Sequence, residues 1–211
     1  MRRALIVANG ELPSVELVRA LADGAAIVVG ADGGGDKALA AGVEPAVVVG
    51  DLDSLSPAVR ARLGPARCLQ IEDPNTTDLE KAVQHCLGLG FTRIDIVAAG
   101  GGRADHALGN LSVLVGYAGQ AEIHLHDDQF DISRVNGRST VDAEPGTVVS
   151  LMAIGECTGL TTVGLRWDLA NVRLRFSPYG IHNEVRARPA SVSVASGDLL
   201  LFLGRWVEKH R

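Results

Sequence analysis

Over residues 1 to about 126, short apolar runs alternate with segments of helical pattern, and this alternation limits the chain to few folds. The apolar runs are rich in Val, Ile and Leu on both faces, which is typical of strands in a parallel sheet covered on both sides. These runs are Ala4–Ala8, Ala26–Val29, Ala46–Val49, Arg67–Ile71, Ile94–Ala98 and Ala121–Leu125. The helical segments between them are Ser14–Ala22, Asp36–Ala41, Pro57–Leu63, Asp78–Leu87 and His106–Tyr117. Strands and helices in alternation predict a layered α/β domain with a mostly parallel sheet.

The pattern changes near Asp127. From Asp127 to Gly137 the chain is polar, and we expect irregular structure there. Beyond it, short and partly alternating runs are separated by Pro, Gly and Ser turns, and no helical pattern stands out. These runs are Thr147–Ile154, Val172–Phe176, His182–Arg186, Ser191–Val194 and Leu199–Leu203. We therefore expect an α/β domain over residues 1–130 and a smaller all-β sandwich or barrel over residues 131–211.

The composition argues against several classes of protein. The formal net charge is −5, whereas nucleic-acid-binding domains usually carry a basic face, so we expect no nucleic-acid partner. The apolar runs fall well short of the roughly 20 residues that span a bilayer, so we expect no membrane association. Three cysteines, Cys68, Cys86 and Cys157, are scattered without zinc-ligand spacing. That pattern suits a soluble protein of the reducing cytoplasm.

Four polar clusters lie in the first domain, and each directly follows a predicted strand. They are Gly30–Gly35, Gly50–Ser54, Glu72–Asp78 and Gly100–His106. In open α/β sheets the carboxyl ends of the strands form the ligand crevice, so these clusters should converge on one rim.

The residue types in the clusters predict nucleotide chemistry that depends on Mg²⁺. Carboxylates are hard oxygen ligands suited to Mg²⁺, and several of them close together repel one another unless a cation lies among them. Those of the rim are Asp32, Asp51, Asp53, Asp78 and Asp105. Glycines let the backbone approach phosphate oxygens, and the helices that start after the loops point their positive ends at the rim. Arg103 could bind a phosphate with two hydrogen bonds. The sequence contains neither a P-loop nor a GxGxxG motif.

Structural explanations compete at several of these positions. Asp32-Gly33 is also common turn chemistry, and Thr77 with Glu80 forms a capping-box pattern that would start a helix at Asp78. His106 could simply hydrogen-bond at a helix start, and Trp167, on the pattern alone, would be a core residue of the β domain. Three successive glycines at residues 100–102 have no such explanation, because glycine destabilises regular elements.

Taken together, these residues resemble the thiamin pyrophosphokinase family over nearly the whole chain. The motifs of the first domain are Asp32-Gly33-Gly34, Gly50–Ser54, Thr77-Asp78, Gly101–His106 and Asn110. Those of the second are Pro145-Gly146, Ser150-Leu151, Thr158–Leu160, Gly164–Trp167 and Gly197-Asp198. The ordered series is far more specific than any single motif.

The resemblance implies an enzyme that moves a pyrophosphoryl group from ATP to thiamin, giving thiamin diphosphate and AMP. It implies a homodimer with active sites between subunits. The implied metal ligands are Asp51, Asp53 and Asp78, with Asp32 and Asp105 in the same cluster. The implied ATP-binding residues are Asp32, Gly33, Gly34, Asp51, Ser54, Thr77, Gly101, Gly102 and Arg103. The implied catalytic residues are Asp51, Asp53, Asp78, Arg103, Asp105 and His106, with an aspartate of the cluster as general base. The implied thiamin contacts are Trp167, Asn183 and Asn110.

The chain departs from the family pattern at two positions. It has Asn75 where the family usually has an aspartate three residues before Asp78, and Asp73 could compensate. It has His182 where the family often has a serine before the residue equivalent to Asn183. Two other functions stay open: a pyrophosphokinase acting on a hydroxymethyl pterin, and a non-catalytic sensor of nucleotide or thiamin diphosphate. Asn75 favours the sensor, and the intact Asp51, Asp53, Arg103 and Asp105 oppose it.

Overall fold

A computed structural model describes residues 2–208, which divide into two compact units on either side of the Asp128–Gln129 bond. No helix in the described part of the chain has the length and apolar character to cross a membrane.

The first unit is a layered α/β fold. Its strands are β1 (Arg3–Val7), β2 (Ile27–Ala31), β3 (Val47–Gly50), β4 (Cys68–Gln70), β5 (Arg93–Val97) and β6 (Glu122–His126). Its helices are α1 (Val15–Asp23), α2 (Gly34–Ala40), α3 (Pro57–Leu63), α4 (Asp78–Gly88) and α5 (Ala104–Gly116). All six strands pair in parallel, in the order β4-β3-β2-β1-β5-β6. Every predicted strand and helix of this unit is confirmed, with ends that shift by at most two residues.

Burial on both faces of the sheet explains the unbroken apolar runs. On β1, Leu5 and Val7 are fully buried and share a core cluster with Val18 of α1 and with Ala38 of α2. Each such side chain contributes about 1.5–3 kcal/mol when it leaves water. α4 contacts β1, β2 and β3. Because the chain runs back across the sheet from β4 to β5, a right-handed crossover places α4 on the face opposite α1.

The strand order reverses between β1 and β5. The chain steps from β1 outward to β4 and then returns to place β5 on the other side of β1. Beyond the two strand ends the backbones stay paired, since Gly10 N donates to Ala98 O at 2.7 Å and Glu11 N to Gly100 O at 2.7 Å. A Cβ on Gly10 would lie 2.3 Å from Gly100 O, so this close approach requires glycine. A reversal of this kind opens a crevice at the carboxyl ends of the strands.

The second unit is antiparallel and β-rich. Its strands are β7 (Phe130–Val135), β8 (Arg138–Val141), β9 (Thr147–Val163), β10 (Val172–Arg175), β11 (Asn183–Glu184), β12 (Ala190–Ser193) and β13 (Ser196–Val207). They are ordered β7-β13-β9-β12-β8, and β10 and β11 also pair with β9. Its core is aliphatic, with Leu151, Leu160, Leu165 and Leu199 fully buried. The predicted fold class, an α/β domain followed by a smaller all-β domain, is confirmed.

The prediction of irregular structure over residues 127–137 is wrong, because β7 occupies most of that segment. The charged residues that resemble a loop find partners on β13: Arg134 pairs with Asp198 at 2.7 Å, and Asp131 pairs with Arg205. Ile132 of β7 is buried. β8 was not predicted either, and β9 runs nine residues past its predicted end at Ile154. Whether β7 and β8 form, and how far β9 extends, is therefore determined by cross-strand partners that are distant in sequence.

A buried carboxylate, Asp95 of β5, lies in the middle of a charged group. Its side chain is 1% exposed, and it contacts Arg3 Nε at 3.1 Å, an Arg93 guanidinium nitrogen at 3.1 Å and His126 Nε2 at 2.9 Å. Burial alone would raise the pKa of Asp95. The hydrogen bond with His126 and the charges of Arg93 and Arg3 outweigh burial, so the pKa is lowered. The ionised carboxylate therefore stabilises the folded state.

Asp95→Asn should lower the free energy of unfolding by about 3 kcal/mol at pH 7, because it leaves two guanidinium groups without their buried anion. A lowered pKa confers stability above the ordinary carboxyl pKa of about 4, and that stability is lost as the pH falls through the folded-state value. The difference between wild type and variant should therefore shrink below about pH 4. Urea unfolding over a pH series measures it, with exposed Asp23→Asn as the control. Equal stability of Asp95→Asn and wild type at pH 7 would contradict this assignment.

Candidate active site

A cavity of about 610 Å³ opens at the carboxyl ends of the strands of the first unit. The segments that follow β1, β2, β3 and β5 and the segment before α4 all line it, so the four predicted polar clusters converge as expected. Its lining includes Asn9, Gly10, Asp32, Asp51, Asp53, Ser54, Asp73, Thr76, Thr77, Asp78, Lys81, Gly101, Gly102, Arg103, His106 and Asn110.

Three carboxylates meet in this cavity. One oxygen each from Asp32, Asp51 and Asp78 lies within 4.8 Å of the other two. Asp32 is 2% exposed; its Oδ2 accepts a hydrogen bond from Ser54 N at 3.1 Å. Its Oδ1 is buried and has no hydrogen-bond partner among residues 2–208. Burial, together with the nearby charge of Asp78, raises the pKa of Asp32. A buried anionic oxygen without a donor, in a group of like charges, fits a divalent cation with oxygen ligands.

The geometry selects a different group of three from the predicted metal ligands. Asp51 and Asp78 belong to both sets, Asp32 lies with them as a member of the predicted cluster, and Asp53 is not one of the three. Asp53 lines the same cavity and is exposed, and its Oδ1 accepts from Ser54 Oγ at 3.0 Å. Its backbone N donates to Asp51 Oδ1 at 3.2 Å. Asp53 thus orients Asp51 and presents its own carboxylate to the cavity.

Backbone strain accompanies these carboxylates. Asp32 has φ +46° and Leu52, between Asp51 and Asp53, has φ +67°. The left-handed region costs a non-glycine residue about 1–2 kcal/mol. At both positions the strained residue turns the chain sharply just after a strand ends. The fold keeps this strain where the carboxylates are directed into the cavity.

The Asp32-Gly33-Gly34 motif packs against the end of β1. A Cβ on Gly34 would lie 1.9 Å from Val7 O, and one on Gly33 would lie 2.6 Å from the side-chain amide of Asn9. Close packing against backbone therefore requires glycine at residue 34, whereas Gly33 faces only the end of the Asn9 side chain. Asn9 was not among the predicted site residues. Asn9-Gly10 directly follows the first strand, as the other clusters follow theirs, and that position could have identified it.

The start of α4 fixes Asp78. The predicted capping box is confirmed, since Glu80 N donates to Thr77 Oγ1 at 3.3 Å and Thr77 N donates to Glu80 Oε2 at 3.0 Å. Asp78 is the first helical residue, and its Oδ1 accepts from Asp51 N at 3.2 Å. This bond ties the helix start to the end of β3.

The departure at Asn75 concerns the loop before α4. Asp73 accepts hydrogen bonds from Asn75 N at 2.9 Å, from Asn75 Nδ2 at 3.2 Å and from Thr76 Oγ1 at 3.0 Å. Asp73 lines the cavity, whereas within the described chain Asn75 does not. Asn75 therefore shapes the loop, and Asp73 supplies the carboxylate on this side of the cavity.

The glycine-rich segment after β5 contributes Arg103, His106 and Asn110 to the cavity lining. Gly101 and Gly102 have φ +76° and +63°, which accounts for two of the three glycines.

Arg103 pairs with Asp105 at 2.5 Å, and both side chains are exposed. The hydrogen bond from Arg103 lowers the pKa of Asp105 to about 2. Asp105 does not join the three carboxylates and is not part of the cavity lining. Asn110 Nδ2 donates to Ala99 O at 2.7 Å, which anchors α5 to the end of β5.

In the second unit, the predicted thiamin contacts Trp167 and Asn183 form a pair. Trp167 N donates to Asn183 Oδ1 at 3.2 Å, and Asn183 Nδ2 donates to Trp167 O at 2.8 Å. Trp167 is 54% exposed, which rules out the alternative that it is a core residue. The guanidinium of Arg166 lies 4.9 Å from its ring centroid, so one face already contacts a cation.

Hydrogen bonds to side chains hold the segment that carries Trp167. Asp168 accepts from Leu165 N at 3.0 Å and from Gly164 N at 3.2 Å. His182, the second departure, has φ +64°, and its backbone N donates to Ser150 Oγ at 2.9 Å. Residue 182 thus positions Asn183 through its backbone.

Two family models match the chain. "Thiamin pyrophosphokinase, catalytic domain" matches residues 18–125, and "Thiamin pyrophosphokinase, vitamin B1 binding domain" matches residues 138–199. Thiamine pyrophosphokinase 1 of Arabidopsis thaliana is 30% identical over 207 residues, covering 83% of this chain and 76% of the relative. Thiamine pyrophosphokinase of Bacillus subtilis is 29% identical, covering 95% and 98%.

A crystal structure of thiamine pyrophosphokinase from Bacillus subtilis superposes with a TM-score of 0.85 at 27% identity, covering 96% of this chain and 99% of that one. The two family models between them match segments of both units, and the catalytic-domain model alone spans more than half of the residues. The chain therefore belongs to the thiamin pyrophosphokinase family and is an enzyme of that class.

Proposed function

We propose that the chain transfers the pyrophosphoryl group of ATP to the hydroxyl of thiamin, releasing AMP, and that the cavity of the first unit is the site of transfer. The observation that carries the proposal is the group of three carboxylates at the reversal of the strand order, in which the buried Asp32 Oδ1 has no hydrogen-bond partner within residues 2–208. Family membership favours thiamin over a hydroxymethyl pterin, and it favours catalysis over a sensor role.

Asp51 and Asp78, with Asp32, would hold the metal ion in this proposal, and Asp53 would complete the carboxylate lining. Mg²⁺ bound there would neutralise charge on the phosphate oxygens. Gly101, Gly102, Ser54 and Thr77 line the cavity, and the two glycines there allow close approach of phosphates. The predicted ATP contacts Gly33 and Gly34 directly follow Asp32 but lie outside the cavity lining. Arg103 and His106 would bind phosphate oxygens. Arg103 is exposed, so its guanidinium can turn from Asp105 toward a phosphate.

In the proposed reaction the thiamin hydroxyl oxygen attacks the β-phosphorus of ATP. The bond from that phosphorus to the oxygen shared with the α-phosphate breaks, and AMP leaves with that oxygen. A carboxylate of the cavity accepts the hydroxyl proton. Transfers of this kind depend mainly on positioning and on neutralising phosphate charge, which the converging strand ends provide.

The two parts of the chain would bind different substrates. Residues 1–130 would bind ATP and Mg²⁺, and residues 131–211 would bind thiamin through Trp167 and Asn183, with Asn110 as a further contact. We propose a homodimer with active sites at the subunit interface. We also propose a cytoplasmic location, with which the three free cysteines are compatible.

AMP, and not ADP, should appear when the purified protein is incubated with Mg-ATP and thiamin, because attack at the β-phosphorus leaves AMP. Separation of the nucleotides by ion-exchange chromatography measures both products. A hydroxymethyl pterin in place of thiamin should give no AMP above background. ADP as the product would mean transfer of a single phosphoryl group, and AMP formed only with the pterin would reassign the substrate.

Trp167→Ala should weaken thiamin binding about tenfold and leave ATP binding nearly unchanged. Thiamin is a cationic aromatic, and loss of a cation–π contact costs about 1–2 kcal/mol. Trp167→Phe should keep part of the affinity because it keeps an aromatic face. Calorimetric titration with thiamin measures the effect, and thermal melting checks folding. A well-folded Trp167→Ala protein with wild-type thiamin affinity would remove Trp167 from the substrate site.

Asp51→Asn and Asp53→Asn should each abolish most activity without unfolding the protein. Removing a charge from mutually repelling carboxylates should leave the metal-free variants as stable as wild type or more stable. Mg-ATP should raise the melting temperature of wild type and raise that of the variants much less. Melting curves with and without Mg-ATP make the comparison, with Asp23→Asn as the control. An undiminished Mg-ATP shift in both variants would remove the metal site from this position.

A further inference from the structure

Lys81 is a buried lysine that none of the assigned roles includes. It lies on α4, one turn after Asp78, and its side chain is only 4% exposed. Lysine is rarely buried to this extent, because its ammonium loses hydration and its long side chain loses rotamer freedom. A lysine in such a place needs a compensating interaction.

That interaction is with the group of three carboxylates. Lys81 Nζ lies 2.9 Å from Asp78 Oδ1, the same oxygen that accepts from Asp51 N. A lysine amine at this distance from a carboxylate pairs with it as an ammonium cation. Lys81 also lines the cavity. The three carboxylates therefore have a resident positive charge within hydrogen-bond distance of one of them.

Two effects of this charge on a metal ion oppose each other. Holding Asp78 in place prepares the site and favours metal binding. The ammonium also repels a divalent cation and competes with it for Asp78. Repulsion between an ammonium and a divalent cation a few ångströms apart in a partly buried site is strong. The ammonium adds less to the positioning of Asp78, because Asp51 N also donates to Asp78 Oδ1. Repulsion should therefore dominate.

We propose that Lys81 is a positioning residue that keeps the three carboxylates assembled without a metal ion and weakens their affinity for the free ion. Metal binding then becomes tight only when nucleotide phosphates add their negative charge, so metal and nucleotide bind together. This inference rests on the proposed function, because the metal site is the one assigned there.

Lys81→Met tests the sign of the effect, since methionine keeps most of the volume and removes the charge. The variant should bind free Mn²⁺, without nucleotide, at least tenfold more tightly than wild type in a calorimetric titration. MgCl₂ alone should raise its melting temperature by more than it raises that of wild type. Lys37→Met, a half-buried lysine on α2 outside the cavity lining, removes the same formal charge elsewhere and should leave both readouts unchanged.

A purely structural lysine predicts a different pattern: a lower melting temperature with the same or weaker affinity for the free metal ion. That pattern would overturn the proposal. In metal-free buffer, adding Asp78→Asn to Lys81→Met should recover most of the lost melting temperature, because the pair of charges is then removed together. Strictly additive losses would also count against Lys81 acting through Asp78.

If Lys81→Met does not fold in metal-free buffer, refolding in MgCl₂ should rescue it, with NaCl at equal ionic strength as the control. Failure of Mg²⁺ to rescue would overturn the proposal.

Failure of the inference can be told apart from failure of the proposed function. Equal metal binding by wild type and variant removes only the role of Lys81. Absence of metal binding in both, with and without ATP, removes the metal site itself and Lys81 with it.

Discussion

Mutual repulsion among Asp32, Asp51 and Asp78 is the interaction on which the catalytic unit depends. One oxygen of each lies within 4.8 Å of the others, and Asp32 Oδ1 is buried without a donor among the described residues. Such a group persists only because the surrounding structure holds it in place and because positive charge is close. Lys81 supplies one such charge from within the chain, and the divalent cation that we propose for this site would supply a second. Left-handed backbone at Asp32 and Leu52 shows that the fold tolerates strain to direct these side chains.

The reversal of strand order makes this arrangement possible. The chain reverses its direction across the sheet between β1 and β5, and the cavity at the carboxyl ends collects groups that follow β1, β2, β3 and β5 and groups from the start of α4. Because the strand ends pack so closely here, some positions of this region must be glycine. Gly10 and Gly34 lie against backbone carbonyls where no side chain fits, so the packing of strand ends requires them independently of any ligand.

Much of the fold could be predicted from periodicity because the first unit depends on local patterns. Its buried strands are continuous apolar runs, and the capping box at Thr77 and Glu80 marks the start of α4. β7 could not be predicted, because Asp131 and Arg134 resemble loop residues until β13 provides Arg205 and Asp198 about 64 to 74 residues later. The residues of the site likewise include some that the sequence reveals and some that it does not. The polar clusters after strands are visible in the sequence, whereas Asn9 and Lys81 lie in or beside elements whose main pattern is apolar.

The sequence by itself determined the alternation of strands and helices, the convergence of its polar clusters on one edge of the sheet, and, through its ordered motifs, the family. These features follow from local periodicity and from the rule that parallel strands end on the same edge. Only the tertiary structure decided which carboxylates meet: Asp32 lies with Asp51 and Asp78, Asp53 lies beside them, and Asp105 pairs with Arg103 outside the group. Side-chain direction at a strand end depends on backbone angles and on close packing against neighbouring strands, neither of which residue spacing encodes.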